Sequence, residues 1–246
     1  MKHLRNLVIL ILLLLAGPFS LVACGEVSVE GDWSEASRDA AGIAPDPASH
    51  PEAIIQVYAA RAFKWRGAFA VHTWIAVKPA RASVYTTYEV MGWNLYHGDS
   101  AINVNDGAPD RYWYGARPRI LAELRGEAAE AAIVRIRRAV AEYPHAGEYQ
   151  TWPGPNSNTF TAFILRRVPE LKADLPPTAI GKDYIPGPSF VARTPSGGGL
   201  QLSAFGLLGI LVSVEEGVEF NLFGLSAGFD FRDLALRLPG LGRVGL

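Results

Sequence analysis

The sequence predicts an α+β domain in which helices pack on an antiparallel sheet, and three observations predict it. Runs rich in β-branched and aromatic residues stand first in the folded part of the chain, at residues 54–58, 67–77 and 84–93. The turn-forming segment 79–83 joins the second run to the third, which makes them an antiparallel hairpin. Helix-like segments then follow the strands, at residues 118–125, 127–143 and 158–168.

Residues 1–23 read as a secretory signal. Lys2 and Arg5 precede an unbroken run of Leu, Ile and Val over residues 7–15, which Ala16-Gly17-Pro18 interrupts. Leu21-Val22-Ala23-Cys24 then resembles the bacterial lipobox, whose cysteine is acylated and becomes the mature N-terminus. Cys24 is the single cysteine of the chain, so a disulfide within the chain is excluded. The alternative is an uncleaved anchor, because residues 7–23 approach the roughly 20 residues of a bilayer span. Both readings tether the protein to a membrane in the bacterial cell envelope, facing the periplasm. Gly25 stands where enteric lipoproteins kept at the inner membrane carry aspartate, which favours the outer membrane.

Residues 24–52 are acidic and rich in Ala, Pro and Ser, as a tether would be. The α+β domain is expected over residues 53–190. Pro118 sits at a first-turn position and Gly126 marks a break between two helices. Ile133, Ile136, Val140 and Tyr143 recur at three- and four-residue steps, so the second helix should bury one stripe. The third helix stops before Pro169. Residues 191–246 form a glycine-rich apolar extension. Val218, Phe220 and Leu222 alternate with Glu219 and Asn221, so part of it is strand, and the rest of residues 200–231 reads equally as sheet or as a membrane-contacting segment.

Among 246 residues 49% are hydrophobic, ample for a core, and the net charge of −1 lacks the basic excess of a nucleic-acid binder. Loss of Lys2 and Arg5 with the signal takes that charge from −1 to −3, which offers no overall attraction to anionic headgroups. His50, His97 and His145 show no metal-ligand spacing, so neither a metal nor another cofactor is expected. Gly240-Leu241-Gly242-Arg243-Val244-Gly245 matches a dinucleotide fingerprint by letter, but no helix follows it.

The candidate chemistry begins on the second strand. Side chains alternate there, so Val71, Thr73, Ile75 and Val77 share one face while His72, Trp74 and Ala76 share the other. Glu89 on the next strand is a carboxylate in apolar company and needs a partner. If the hairpin register brings it to His72, it orients the imidazole. Gly154-Pro155-Asn156-Ser157-Asn158-Thr159-Phe160 runs from a turn into a helix, where free N–H groups converge on an oxyanion or a nucleophile. Ser157 is the residue placed to be that nucleophile. Helix capping explains the same run, because Ser and Asn are preferred caps. Arg111, Trp113 and Arg117 with Lys182-Asp183-Tyr184 are candidates for a substrate groove or for solvated loop residues.

His72-Thr73-Trp74-Ile75, Glu89 and Asn156-Ser157-Asn158-Thr159-Phe160 stand in an order that resembles the circularly permuted papain-like superfamily of lecithin:retinol acyltransferase relatives and cell-wall amidases. The resemblance spans residues 57–168. It implies a permuted papain-like fold with His72 as base, Glu89 as third polar residue and Ser157 at the nucleophile position, and Asn156, Asn158 and Trp74 at the substrate. The superfamily's cysteine is serine here. A serine hydroxyl does not ionise near neutrality and must pass its proton to a base during attack. Segments 58–62, 70–79, 109–113 and 154–160 also resemble a family of uncharacterised proteobacterial envelope proteins. Two functions follow as expectations. One is a serine-dependent hydrolase or acyltransferase acting on an amide or ester, with peptidoglycan or lipid as substrate. The other is a non-catalytic envelope module that kept the pocket of such a fold.

Overall fold

The computed structural model describes residues 2–27 and 30–245; Met1 of the expected signal, Ser28 and Val29 of the expected tether and Leu246 of the extension lie outside the described residues. The apolar start of the chain is helix α1 (Lys2–Ala23), long and apolar enough to cross a membrane, as a signal sequence or an anchor would be. Cys24 follows it and is exposed.

Five strands form the first sheet: β1 (Ile54–Arg61), β2 (Val71–Lys78), β3 (Tyr85–Val90), β4 (Ile102–Gly107) and β5 (Arg119–Arg125), in the order β4-β3-β2-β1-β5 and antiparallel throughout. The hairpin of β2 and β3 sets Ile75 opposite Tyr88. Residues 67–70, expected as strand, instead leave the 3-10 turn Lys64–Ala68 before β2 starts.

The helix expected over residues 118–125 is strand β5. It pairs with β1 from Ile54 opposite Arg125 to Ala59 opposite Arg119. β1 is buried along almost its whole length, so its outer row of N–H and C=O groups needs a ladder partner, and that demand outweighs the weak helix preference of a seven-residue segment. β4 carries Asn103, Asn105 and Asp106, which are poor strand formers, and its pairing with β3 holds it.

Helices α2 (Gly126–Ala141) and α3 (Ser157–Leu165) cover one face of this sheet, where Ile133, Ile136, Phe160 and Ile164 join Val57, Ile75 and Val77 in one core. The opposite face gathers Tyr58, Trp74, Tyr85 and Trp113. Part of the expected tether closes over it. Tyr112 N–H donates to Asp39 O over 2.8 Å, and the Asp110 carboxylate accepts from the N–H groups of Ile43 (2.6 Å) and Ala44 (3.1 Å). A free linker over the whole of 24–52 is therefore corrected: a distant carboxylate captures its second half.

The C-terminal extension is a second sheet, a seven-stranded meander running β12-β11-β10-β9-β8-β7-β6. Its strands are β6 (Val191–Arg193), β7 (Gly199–Ala204), β8 (Leu208–Ser213), β9 (Gly217–Leu222), β10 (Leu225–Asp230), β11 (Ala235–Leu238) and β12 (Gly242–Gly245). A buried ionic network joins it to the first domain. Lys182 Nζ donates to Asp183 Oδ1 over 2.9 Å and also to Glu219, while Arg237 Nε donates to Glu219 Oε2 over 2.8 Å and Arg237 Nη2 to Asp174 Oδ1 over 2.8 Å. Lys182 and Asp183 are thus buried at this joint and do not line a groove.

Candidate functional site

The alternation along β2 decides what the site can be. Thr73 faces α3: its hydroxyl donates to Asn158 Oδ1 over 2.9 Å, and Asn158 Nδ2 donates to the Val71 carbonyl over 2.9 Å. His72 leaves β2 on the opposite face, as consecutive strand residues must. There its Nε2 lies 2.9 Å from Oε2 of Glu89 and its ring stacks on Trp113, centroids 3.5 Å apart and planes 3° apart.

Glu89 is fully buried and satisfied on both oxygens. Oε1 accepts from Asn103 Nδ2 over 3.1 Å and from the Arg111 guanidinium. Burial alone raises a carboxyl pKa, but the hydrogen bond from His72 and the charge of Arg111 hold Glu89 below its ordinary value. Burial lowers the His72 pKa, with the Arg111 charge adding to it against the pull of Glu89. That direction favours the neutral imidazole, and Nε2–H is assigned as the donor to Glu89.

His72 and Glu89 meet, the arrangement that the hairpin reading made conditional on register. Ser157 opens α3, whose Asn158 bonds to the Thr73 hydroxyl and the Val71 carbonyl and whose Phe160 and Ile164 join the core cluster that holds Val71 and Ile75, so α3 begins on the Thr73 face of β2, the face opposite His72. Among the described residues no hydrogen bond joins Ser157 to His72, whose Nε2 is taken by Glu89.

The Asn-Ser-Asn run is spent on capping. Asn156 Oδ1 accepts from the N–H groups of Asn158 (3.0 Å) and Thr159 (3.2 Å), while Thr159 Oγ1 accepts from Asn156 N–H over 3.1 Å, a complete capping box. Asn156 Nδ2 donates to the Thr151 and Ile180 carbonyls, each over 3.0 Å. Gly181 gives it room, since a Cβ there would lie 2.3 Å from Asn156 Oδ1. Trp74, expected at a substrate, is 1% exposed, stacks on Tyr58 and donates Nε1–H to the Pro109 carbonyl over 2.7 Å. Asn156, Asn158 and Trp74 therefore hold the fold together.

What opens to solvent is a cleft of about 330 Å³ on the His72 side, lined among others by Arg38, Trp93, Asn103, Asn105, Arg111 and Trp113. Trp93 is 42% exposed and lies over Trp113 with centroids 6.0 Å apart, and the Arg38 guanidinium sits 4.3 Å from the Tyr114 ring centroid. A Cβ at Gly92 would lie 2.4 Å from the Tyr149 ring, so the turn that presents Trp93 requires glycine there. Of the groove candidates, Arg111 and Trp113 belong to this cleft. Arg117 lines a separate, larger cavity of about 760 Å³ beside Arg61 and Arg119. Asn103, Asn105 and Arg38 escaped the sequence reading because β4 was unrecognised and Arg38 lay in the segment read as tether; the exposed aromatic Trp93 beside a glycine was the available signal.

Chemically, the cleft offers aromatic faces, side-chain amides and cations. It suits a ligand with apolar ring faces and carboxylate groups. No curated protein and no solved structure matches the chain. A family model described as a protein of unknown function, DUF3750, matches residues 52–184, which contain the whole first sheet, both of its covering helices and the Lys182–Asp183 pair. The chain belongs to the DUF3750 family.

Proposed function

We propose that this is a membrane-tethered envelope protein that binds a peptidoglycan fragment in the Trp93–Arg111 cleft and does not turn it over. On this reading α1 stays in the bilayer as an uncleaved anchor, and the first sheet with α3 is a papain-like frame that has lost its chemistry. The observation that supports it is that α3 begins on the Thr73 face of β2 while His72 points to the other face and is held by Glu89. The β2 residue that faces the start of α3 is Thr73, a side chain that cannot act as a general base near neutral pH. Serine in place of a thiol then leaves neither reactive group. The cleft supplies what a carboxylate-bearing sugar–peptide needs: the Trp93 face for a pyranose ring, Arg38 for a carboxylate, and Asn103 and Asn105 for hydroxyl and amide groups.

The test pairs a reactive probe with a titration. A fluorophosphonate should leave the protein unlabelled, as it leaves Ser157→Ala. Soluble muropeptides should quench tryptophan fluorescence saturably, and Trp93→Ala and Arg38→Ala should each weaken that binding tenfold or more. Ser157-dependent labelling or turnover would overturn the reading in favour of a serine hydrolase, and muropeptide binding indifferent to both variants would remove the cleft from it.

A further inference from the structure

The second sheet is inside out. In most antiparallel sheets with one solvated face, apolar side chains point to the core and polar ones to water. Here Gln201, Glu219, Asn221, Ser226 and Arg237 point inward and are buried. Their outward neighbours are apolar and line up across the strands. One cross-strand row runs Leu200, Val212, Val218, Phe229, Leu236 and Val244. A second runs Val191, Leu202, Ile210, Phe220 and Ala227. Leu200 is 66% and Phe220 59% exposed.

Seven strands at about 4.8 Å spacing, most of them six residues long, make a face of about 30 by 20 Å. That is at or beyond the roughly 300–600 Å² of the largest apolar patch on a typical soluble monomer. The inversion follows from the joint beneath: the inner face must satisfy Lys182 and Asp183, so the apolar half of each alternation is turned outward.

We infer that this outer face lies on the lipid bilayer that holds α1. Three features select a bilayer over a protein. The turn between β11 and β12 packs directly on α1, where a Cβ at Gly17 would come 2.3 Å from the Pro239 carbonyl oxygen and one at Gly240 2.6 Å from Pro18 N. The membrane helix therefore meets the domain at an edge of this sheet. The 3-10 turn Lys64–Ala68, which also packs at the end of α1, carries Lys64, exposed Trp65 and Arg66, the residue types that settle at headgroup level. Neither row contains an acidic side chain, and the charged residue that continues the first row is Arg193, opposite Leu200. Strands of three to six residues are too short for the roughly 9–11 needed to cross a bilayer, so the sheet lies flat on it.

The inference rests on the membrane tethering of the chain and not on ligand binding in the cleft. Full-length protein carrying Cys24→Ser, and one new cysteine at Phe220→Cys or Leu202→Cys, is spin-labelled and bound to vesicles of phosphatidylethanolamine and phosphatidylglycerol. Val134→Cys, on the exposed side of α2, is the control. Labels at 220 and 202 should collide severalfold less with a water-soluble nickel chelate, relative to oxygen, than the label at 134. Vesicle-bound protein whose labels at 220 and 202 behave as the control overturns the sheet contact while leaving the tether intact. Labels shielded from both collision partners point to a second copy or another protein on this face and overturn it as well. Protein that fails to bind the vesicles overturns tether and sheet contact together. Both introduced cysteines are at exposed sites, so either alone reads the face if the other variant misfolds.

Discussion

The His72 imidazole lies flat on Trp113, ring centroids 3.5 Å apart, with Nε2 held 2.9 Å from the Glu89 carboxylate. That relationship makes a strand histidine a fixed strut between the sheet and the 109–116 loop. It removes the freedom that a general base would need. Glu89 is the centre of the arrangement, because His72, Asn103 and Arg111 converge on it from three elements.

Glu89→Ala should therefore destabilise the fold by about 3–5 kcal/mol, the usual result of removing one partner of a buried pair and stranding the other. Glu89→Gln keeps the shape and part of the hydrogen bonding and should lose less. Chemical denaturation measures both, and a loss below about 1 kcal/mol for Glu89→Ala would contradict the role assigned to it.

His72 gives the stability a pH dependence of definite sign. Its folded pKa lies below the ordinary 6.5, so on acidification the unfolded chain takes up this proton first. Stability should fall as pH drops through 6.5 toward the folded value, by up to about 1.4 kcal/mol per pH unit. In His72→Gln that slope should flatten. An unchanged slope in the variant would assign the pH dependence to other groups.

The start of α3 offers a contrast between neighbours. Asn156→Ala loses the capping box, and by itself that should cost about 1–2 kcal/mol. The Thr151 and Ile180 carbonyls that it satisfies add to the loss. Ser157→Ala should stay within about 0.5 kcal/mol, because the serine hydroxyl makes no hydrogen bond among the described residues. Thermal melts of the two variants side by side decide it, and equal losses would show that the Ser157 hydroxyl has a partner.

The joint between the sheets should respond to both extremes of pH. Burial raises the Asp183 pKa, but Lys182 and the Asn221 amide outweigh it and hold it below 3.8. Its contribution is present above 3.8 and lost as pH falls through the folded value. Burial lowers the Lys182 pKa, but Asp183 and Glu219 outweigh it and hold it above 10.5, so its contribution is present below 10.5 and lost as pH rises through the folded value. Protection factors of the amides in β7–β10, which normalise out the intrinsic pH dependence of exchange, should fall at both ends. Lys182→Met, which removes the cation that Asp183 and Glu219 share, should bring about the same loosening near neutral pH.

Much of this was legible locally. The stripe Ile133, Ile136, Val140 and Tyr143 is buried on α2 or just beyond its end, and the two faces of β2 follow the alternation written in the sequence. The Asn-Ser-Asn run marked the start of α3 through the capping preference of its side chains. Each of these signals depends on neighbours within a turn or two of chain. Residues 118–125 misled for the converse reason, since their conformation is set by an edge of β1 some sixty residues away.

The functional site turned on the same distinction. Alternation placed His72 and Thr73 on opposite sides of one strand, but no local rule says which side α3 will cover. That choice came from packing, because Phe160 and Ile164 join the core cluster of Val71 and Ile75 and Asn158 bonds to Thr73, so α3 starts on the Thr73 side. The extension shows it again. Its alternating residues announced strands, while the orientation of the sheet depended on where a buried lysine and aspartate needed partners. Periodicity and capping are properties of a few consecutive residues and can be read from them. The facing of one element on another is settled by contacts between residues far apart in the chain, and here those contacts separate the histidine from the serine.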